Sequence, residues 1–292
     1  ASLGAFTLSM LRGEHGHQRK ELGKLIRWLD DEVKPDIVHF SNALLLGLAH
    51  EIRDSLKVPV VIGLSGEDIF LEKLPEPYRT QSREEMQRRA HDAAAYVTMN
   101  QYYADYMREY LQVDPQRLKV IPAGLDLRGH ATASRSTPNE RRTIGYLARI
   151  CHDKGLHHLV DALAILAKDS SLDDVRVRVA GYLGPADEPY FKEQQSRVAK
   201  LGLSDRFEYV GELDRQEKIT FLQSLDVMSL PTVYRESKGL PVIESLANGV
   251  PVVLPNHGTF PEIVNDSGGG LLHEPADAEH LAHTLKELLN QP

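Results

Sequence analysis

Two glutamates flank the start of a predicted helix in the second half of the chain. Glu236 precedes Gly239, Leu240 and Pro241, and Glu244 lies eight positions after Glu236. Proline is favoured in the first turn of a helix, so a helix is predicted to begin near Gly239. The free N–H groups of such a start, together with the helix dipole, suit a phosphate. Because a carboxylate accepts hydrogen bonds from two vicinal hydroxyls, this pattern fits a hexose, a diphosphate and a ribose in sequence.

The plainer explanation for these glutamates is that both are solvated surface charges. For Glu244 taken alone, that explanation is at least as good as a binding role. The Gly-Leu-Pro helix start and the strand entry at 248–253, which reads Asn-Gly-Val-Pro-Val-Val, favour a binding site instead. We therefore predict a ligand site between the end of one strand and the start of this helix.

The elements that must position these residues alternate between apolar runs of strand length and longer helical patterns. In the first half, the predicted strands are 36–40, 58–64, 96–99 and 118–122, and the predicted helices are 14–31, 43–56, 82–95 and 102–111. In the second half, the predicted strands are 143–147, 175–180, 207–210, 227–230, 252–254 and 270–272, and the predicted helices are 156–168, 190–201, 215–224, 240–248, 260–264 and 278–290.

The predicted strands show little alternation between apolar and polar residues, which is typical of a parallel sheet covered on both faces. The fold prediction is α/β, with two Rossmann-like, doubly wound parallel-sheet domains. Such domains place a ligand in the cleft between them, at the carboxyl ends of the strands. Residues 124–142 lack a sustained apolar period and are typical of a linker. We place the boundary inside it, with domains at 1–138 and 139–292.

Composition excludes several classes of function. The formal net charge of −8 argues against a general nucleic-acid binder, which shows a concentrated basic surface. Cys151 is the only cysteine, so neither an intrachain disulfide nor a site of several thiolates can form. The 13 histidines show no metal-ligand spacing, so no metal site is predicted. Residues 1–10 lack the pattern of a secretory signal, and the predicted location is cytoplasmic.

The segment from Glu236 to Glu244 resembles the paired-glutamate motif of the retaining glycosyltransferases of family 4. The segments 245–253, 261–264 and 145–155 are similar to further motifs of that family, in the same order along the chain. Members of the family adopt the GT-B architecture, in which two Rossmann-like domains face each other across a cleft. The resemblance covers most of the chain and implies the GT-B type of α/β fold.

The resemblance also implies roles for individual residues. Arg149 and Lys154 are expected to bind the donor diphosphate, for which a planar guanidinium and a mobile ammonium are both suited. Glu236 is expected to contact the transferred sugar, and Glu244 the ribose hydroxyls. For the two cations, a solvated loop is the alternative.

Further donor contacts are expected from the backbone. The N–H groups of Gly239 and Leu240 would face the phosphates, while Val210 and Gly211 resemble a stretch that lies along the nucleobase. A simple strand end explains that stretch equally well. The family often has an aromatic residue where this chain has Lys238, which either adds a third cation to the phosphate site or points into solvent.

The first half departs further from the family pattern. After the strand 58–64, where the family commonly has a histidine that reaches the donor, this chain has Ser65, Gly66, Glu67 and Asp68. A turn or capping role for Ser65 and Asp68 is favoured over contact with a sugar. The opening strand with its glycine-rich loop and the closing helices of the family do not occur, so the resemblance predicts a chain truncated at both ends. For residues 12–28, packing into their own domain is favoured over peripheral membrane contact.

The resemblance implies transfer of a hexosyl unit, with retention of configuration, from a UDP-, GDP- or ADP-sugar. It implies no tightly bound cofactor and no required metal. The acceptor is a carbohydrate, a lipid-linked compound or a small molecule. Two alternatives stay open, namely a nucleotide-sugar epimerase of the same architecture and a truncated, non-catalytic chain that binds a nucleotide or a sugar.

Overall fold

A computed structural model describes residues 2–130 and 141–290 of the chain. The chain divides into two compact units, Ala1–Ala123 and Gly124–Pro292. The boundary predicted between residues 138 and 139 lies outside the described residues and stays a prediction.

Strands and helices alternate in the first unit. The strands are β1 (Val38–Phe40), β2 (Val60–Gly63), β3 (Ala95–Thr98) and β4 (Leu118–Val120), and the helices are α1 (Leu3–Leu11), α2 (Arg19–Trp28), α3 (Ala49–Leu56), α4 (Glu67–Leu71), α5 (Tyr78–Arg89) and α6 (Gln101–Leu111). The described strands form a parallel sheet in the order β1-β2-β3-β4. Val60, Ile62 and Tyr96 are fully buried in its core, as expected for a sheet covered on both faces.

Three helix predictions in the first unit need correction. The helix predicted over 82–95 is α5, which begins at Tyr78 and ends at Arg89, and residue 95 belongs to β3. The helix predicted over 43–56 begins as a 3₁₀ segment, Ala43–Leu48, and is α-helical only from Ala49. Gly47 lies in this segment, and its backbone packs so closely against the end of α1 that a side chain would overlap the carbonyl of Leu11. The helix predicted over 14–31 is α-helical only in α2, and α1 was not predicted.

The second unit follows the predicted alternation closely. Its strands are β5 (Thr143–Leu147), β6 (Arg176–Ala180), β7 (Phe207–Gly211), β8 (Val227–Ser229), β9 (Val252–Pro255) and β10 (Gly270–His273), and its helices are α7 (Leu156–Leu166), α8 (Glu188–Lys200), α9 (Arg215–Gln223), α10 (Leu240–Ala247), α11 (Phe260–Ser267) and α12 (Ala278–Leu289). The described strands form a parallel sheet in the order β10-β9-β8-β5-β6-β7. Ile144, Val227 and Val252 are fully buried in its core.

The order of the second sheet reverses between β5 and β8, which are hydrogen-bonded neighbours. This reversal defines a doubly wound sheet, and the crevice outside the carboxyl ends of the two strands is where such folds bind ligands. The prediction of two parallel-sheet α/β domains is confirmed. None of the helices in the described ranges combines the length and the apolar character needed to cross a membrane.

Candidate functional site

Two loops meet at the reversal point of the second sheet. We call residues 148–155, which follow β5, the β5 loop, and residues 230–239, which follow β8, the β8 loop. The N–H of Val233 donates to the carbonyl of Asp153 over 2.9 Å. Gly155 has a φ of 74°, and a side chain there would overlap the carbonyl oxygen of Pro231. Glycine therefore allows the two loops to approach backbone to backbone.

This approach brings together Lys154, from the β5 loop, and Glu236, from the β8 loop. The Lys154 Nζ lies 2.6 Å from Oε2 of Glu236 and also donates to the hydroxyl of Tyr234. The Tyr234 hydroxyl in turn donates to the same Glu236 oxygen over 2.7 Å. The Lys154 Nζ stands 4.9 Å from the centroid of the Tyr234 ring, within cation–π range. We call these three side chains the Lys-Tyr-Glu cluster.

Glu236 is only 7% exposed. Its Oε1 accepts hydrogen bonds from the backbone N–H groups of Ser237, over 3.1 Å, and Lys238, over 3.3 Å. Burial works to raise the pKa of Glu236, but attraction to Lys154 and the hydrogen bonds outweigh it and lower that pKa. The cluster therefore holds an ionised carboxylate in a mostly buried place.

Residues that follow β9, the strand next to β8, hold the backbone around Glu236 in place. The N–H of Thr259 donates to the Glu236 carbonyl over 2.8 Å. Nε2 of His257 donates to the carbonyl of Thr232 over 3.0 Å, which fixes the ring as the Nε2-protonated tautomer when it is neutral. Within the described part of the chain, His257 Nδ1 and Thr259 Oγ1 are buried without a hydrogen-bond partner.

Helix α10 begins where the sequence predicts. Gly239 is its N-cap, with a φ of 68°, and a Cβ at that position would come within 2.6 Å of Ile263. Since the first N–H groups of a helix have no intrahelical partner, the N–H groups at this start are available to an anion. Lys238 stands directly before it and is half-buried, while Leu240 is 39% exposed.

Glu244 lies on α10 and forms an ion pair with Lys218 of α9. Its side chain is 15% exposed, so it is not a freely solvated surface charge. The backbone carbonyl of Glu244 accepts a hydrogen bond from Asn248 over 2.8 Å. This pairing gives Glu244 a fixed, largely buried place beside a cation.

Arg149 leaves the β5 loop in another direction from Lys154. Its guanidinium forms two hydrogen bonds to Oδ2 of Asp187, of 2.6 and 3.1 Å, and its side chain is 58% exposed. The bond to Asp187 raises the pKa of Arg149. The structure thus brings Lys154 and Glu236 into contact and places Arg149 in a separate, exposed ion pair.

Val210 and Gly211 end strand β7, which lies two strands from β5 in the described sheet. Gly211 has a φ of 97°, and its carbonyl accepts the N–H of Gly181 over 2.8 Å. A Cβ at Gly211 would meet no described atom within 4 Å, so one side of the strand end is open. Contact with a nucleobase stays a prediction.

In the first unit, Ser65 lies in the turn that follows β2, and Asp68 lies in the first turn of α4. The N–H of Ser65 donates to Glu67 over 2.8 Å, and Asp68 accepts the hydroxyl of Tyr103 over 2.6 Å. These bonds agree with the turn role favoured from the sequence. No cluster of three or more His, Cys, Asp or Glu side chains suited to a metal ion occurs within residues 2–130 and 141–290.

Three partners were not predicted from the sequence. Tyr234 stands two positions before Glu236, and this short spacing is the one local signal that could have identified it. Lys218 and Asp187 lie 26 and 38 positions from the residues they pair with, and only the fold brings them there.

Comparison with known proteins shows two family matches. Residues 131–292 match the model of the glycosyl transferases group 1, and residues 7–128 match the model of Glycosyltransferase Family 4. The chain is 32% identical to a 2-deoxystreptamine glucosyltransferase of Streptomyces kanamyceticus, over 62% of this chain and 44% of that protein. It is 30% identical to an MMP alpha-(1->4)-mannosyltransferase of Mycolicibacterium hassiacum, over 71% of this chain and 48% of that protein. The chain thus spans about half the length of these curated relatives.

Solved structures share the fold at low identity. Anabaena HepE in complex with UDP has a TM-score of 0.78 at 19% identity, covering 94% of this chain and 74% of that one. Sucrose-phosphate synthase from Thermosynechococcus elongatus has a TM-score of 0.76 at 19% identity, covering 94% of this chain and 70% of that one. Because the group 1 model spans more than half of the sequence, the chain belongs to the glycosyl transferases group 1 family.

Proposed function

We propose that this chain transfers a hexosyl unit from a nucleoside diphosphate sugar to an acceptor hydroxyl, with retention of anomeric configuration. The observation that carries the proposal is the contact between Lys154 and Glu236 at the reversal point of the second sheet. A cation for the diphosphate and a carboxylate for the sugar hydroxyls stand there side by side. Family membership supports a transferase of this kind.

The hard step is departure of the nucleoside diphosphate, during which negative charge grows on the leaving phosphate. Lys154, Lys238 and the N–H groups of Gly239 and Leu240 would stabilise that charge where it develops. Arg149 would join them by exchanging Asp187 for phosphate, since its side chain is exposed and needs no desolvation to move. Removing one such group from the leaving phosphate typically lowers the rate about a hundred- to a thousandfold.

The rest of the donor would lie along the carboxyl ends of the second sheet. We assign the ribose hydroxyls to Glu244, whose carboxylate Lys218 holds in place. We assign the nucleobase to the open strand end at Val210 and Gly211. These assignments come from the motif positions and are supported by burial at Glu244 and by open space at Gly211.

Only the relatives indicate which nucleobases and acceptors to test. Those compared include a glucosyltransferase and a mannosyltransferase, as well as D-inositol 3-phosphate glycosyltransferases that align over up to 99% of this chain at 26–29% identity. One solved structure of the same fold holds UDP-glucose. We infer a UDP-, GDP- or ADP-sugar as donor and a polyhydroxylated small molecule or glycan as acceptor, with UDP the first to test.

The test is thermal unfolding of the chain with UDP, GDP, ADP and their common sugar conjugates. A ligand at a hundred times its dissociation constant stabilises a fold by about 2.7 kcal/mol, which gives a clear rise in melting temperature. We expect a rise with one base, and a tenfold weaker affinity in Glu244→Ala should reduce that stabilisation to about half at the same ligand concentration. A rise with none of the nucleotides would contradict the proposed donor site.

Analysis of the reaction products then distinguishes sugar transfer from epimerisation and from binding without reaction. With the identified donor and a panel of acceptors, a retaining transferase forms a glycoside with the anomeric configuration of the donor, which NMR of the product reports. Conversion of the donor sugar without any acceptor would indicate an epimerase instead. Saturable binding without either product would indicate a non-catalytic chain.

A further inference from the structure

The hydrogen bonds of Glu236 leave no acceptor capacity on its carboxylate. Oε1 accepts two backbone N–H groups, and Oε2 accepts the Tyr234 hydroxyl and the Lys154 ammonium. A carboxylate offers about four lone-pair positions, and all are used here. A nucleotide-sugar that binds to Glu236 must therefore replace one of these four hydrogen bonds.

Lys154 is the member that can move. Its ammonium has three protons on a flexible four-carbon stem, and it is the cation assigned to the diphosphate. The Lys154 side chain is 21% exposed and the Glu236 side chain 9%, so Lys154 lies at the more open side of the cluster. Turning toward a phosphate takes its charge away from Oε2 of Glu236, and a buried carboxylate oxygen that loses its partners is strongly destabilised.

We propose that Tyr234 is a positioning residue that lets Lys154 turn from Glu236 to the donor diphosphate while Glu236 stays ionised and fixed. Its hydroxyl keeps a hydrogen bond on the same oxygen that Lys154 leaves. The inference rests on the proposed function, because it takes Lys154 and Glu236 as donor-binding groups. It adds a residue that touches neither the phosphate nor the sugar and acts through its two neighbours.

Two further contacts suit Tyr234 to this task. The ring lies under the Lys154 ammonium, so the lysine keeps a favourable surface as it moves. The Thr232 hydroxyl donates to the Tyr234 carbonyl over 2.9 Å and fixes the backbone that carries the ring. Burial, together with the nearby charge of Glu236, raises the pKa of Tyr234 far above the physiological range, so its hydroxyl stays a donor.

The test compares Tyr234→Phe with the wild-type chain. Phenylalanine keeps the ring, its burial and the cation–π contact, and removes only the hydroxyl. A matched control is Tyr96→Phe in the first unit, which also removes a buried hydroxyl bond, that from Tyr96 to the carbonyl of Ala90. For each protein, the dissociation constants of UDP, GDP and ADP are measured by calorimetry from about pH 4 to pH 8.

We expect Tyr234→Phe to weaken binding of the preferred nucleotide about tenfold, the effect of roughly one lost hydrogen bond to a charged group. We also expect the acid limb of its binding profile to move to higher pH, because Glu236 loses a donor that lowers its pKa. Tyr96→Phe should leave both the affinity and the acid limb unchanged. In a Glu236→Gln background, Tyr234→Phe should have little further effect on affinity.

A lower melting temperature for Tyr234→Phe with unchanged affinity and acid limb would overturn the inference and leave only a structural role. Full additivity with Glu236→Gln would overturn it as well, because Tyr234 would then act elsewhere. If the wild-type chain binds none of the three nucleotides, the proposed function fails and the inference fails with it. That result is distinct from normal wild-type binding with an unaffected variant, which contradicts the role of Tyr234 alone.

Discussion

Each unit holds a buried glutamate at the carboxyl end of its sheet, and the two side chains differ in the partners that bond to them. Glu67, after β2, is 2% exposed and accepts backbone N–H groups from Ala43, Ser65 and Gly66, and it shares the Tyr103 hydroxyl with Asp68. Glu236, after β8, also accepts two backbone N–H groups and a tyrosine hydroxyl, but its last partner is Lys154.

The difference lies in which partners can be exchanged. Backbone N–H groups are fixed by the fold, so the bonds of Glu67 hold a turn in place. An ammonium on a flexible stem can leave Glu236 for another anion without breaking the fold. The comparison teaches that burial and a tyrosine do not by themselves mark a functional acid. The ion pair with Lys154, a lysine on a flexible stem, is the feature that separates the two sites.

The largest effect should come from removing the functional acid. We expect Glu236→Ala to lower kcat about 10²–10³-fold, because under the proposed function the transferred sugar loses the carboxylate that binds its hydroxyls in the transition state. Initial rates at saturating donor, once the donor is identified, measure this. A kcat within about twofold of wild type would remove Glu236 from the proposed site.

Lys154→Met should have the next largest effect, and it tests the ion pair between Lys154 and Glu236. Methionine keeps the apolar stem and removes the charge, so Glu236 stays buried without its ion pair, at a cost of about 3 kcal/mol of folding stability at neutral pH. Lys154 lowers the pKa of Glu236, so the stability it supplies is present above the unfolded pKa and is lost as pH falls through the folded pKa. Chemical unfolding of both proteins at several pH values should therefore show the gap closing in acid. A gap that is constant with pH would contradict this account.

Glu67→Gln in the first unit is the counterpart to these variants. The amide keeps one acceptor oxygen but turns an NH₂ group toward backbone donors, so we expect a loss of about 2 kcal/mol of folding stability. Nucleotide affinity, measured by calorimetry, should stay at the wild-type value. If affinity falls instead, the contrast between a structural and a functional acid does not hold.

Glu244→Ala should have the smallest effect of this series. We expect donor affinity to fall about tenfold, since the ribose loses one charge-assisted contact, while kcat at saturating donor stays close to wild type. Steady-state kinetics separate the two, because a ground-state contact appears in KM alone. A variant that loses kcat and keeps KM would place Glu244 at the reacting centre.

The fold of the second unit could be predicted from the sequence because its signals are local. Gly239 and Pro241 mark the start of α10, and Gly249 and Pro251 mark the entry to β9. The first unit was harder, because the apolar pattern of 43–56 does not separate the 3₁₀ segment Ala43–Leu48 from α3, and no local pattern contains the tertiary contact at Gly47.

The sequence motifs name the candidate site residues, whose roles stay a prediction, but they do not give the contacts between them. The motif identifies Glu236 and Lys154, yet the two are separated by 82 positions and only the strand reversal between β5 and β8 brings them together. The pairing of Arg149 with Asp187 was not predicted, because Asp187 belongs to no motif. The order of strands in the sheet decides which residues meet at the reversal point, and no local pattern in a single sequence gives that order.

The backbone contact between the β5 loop and the β8 loop has a consequence for exchanging parts between relatives. Gly155 leaves no space for a side chain against Pro231, and the N–H of Val233 is bonded to the carbonyl of Asp153. A chimaera that takes the β8 loop from another transferase therefore needs the matching β5 loop as well. These two segments form one structural unit, and a chimaera should keep the stability of its parents only when both are moved together.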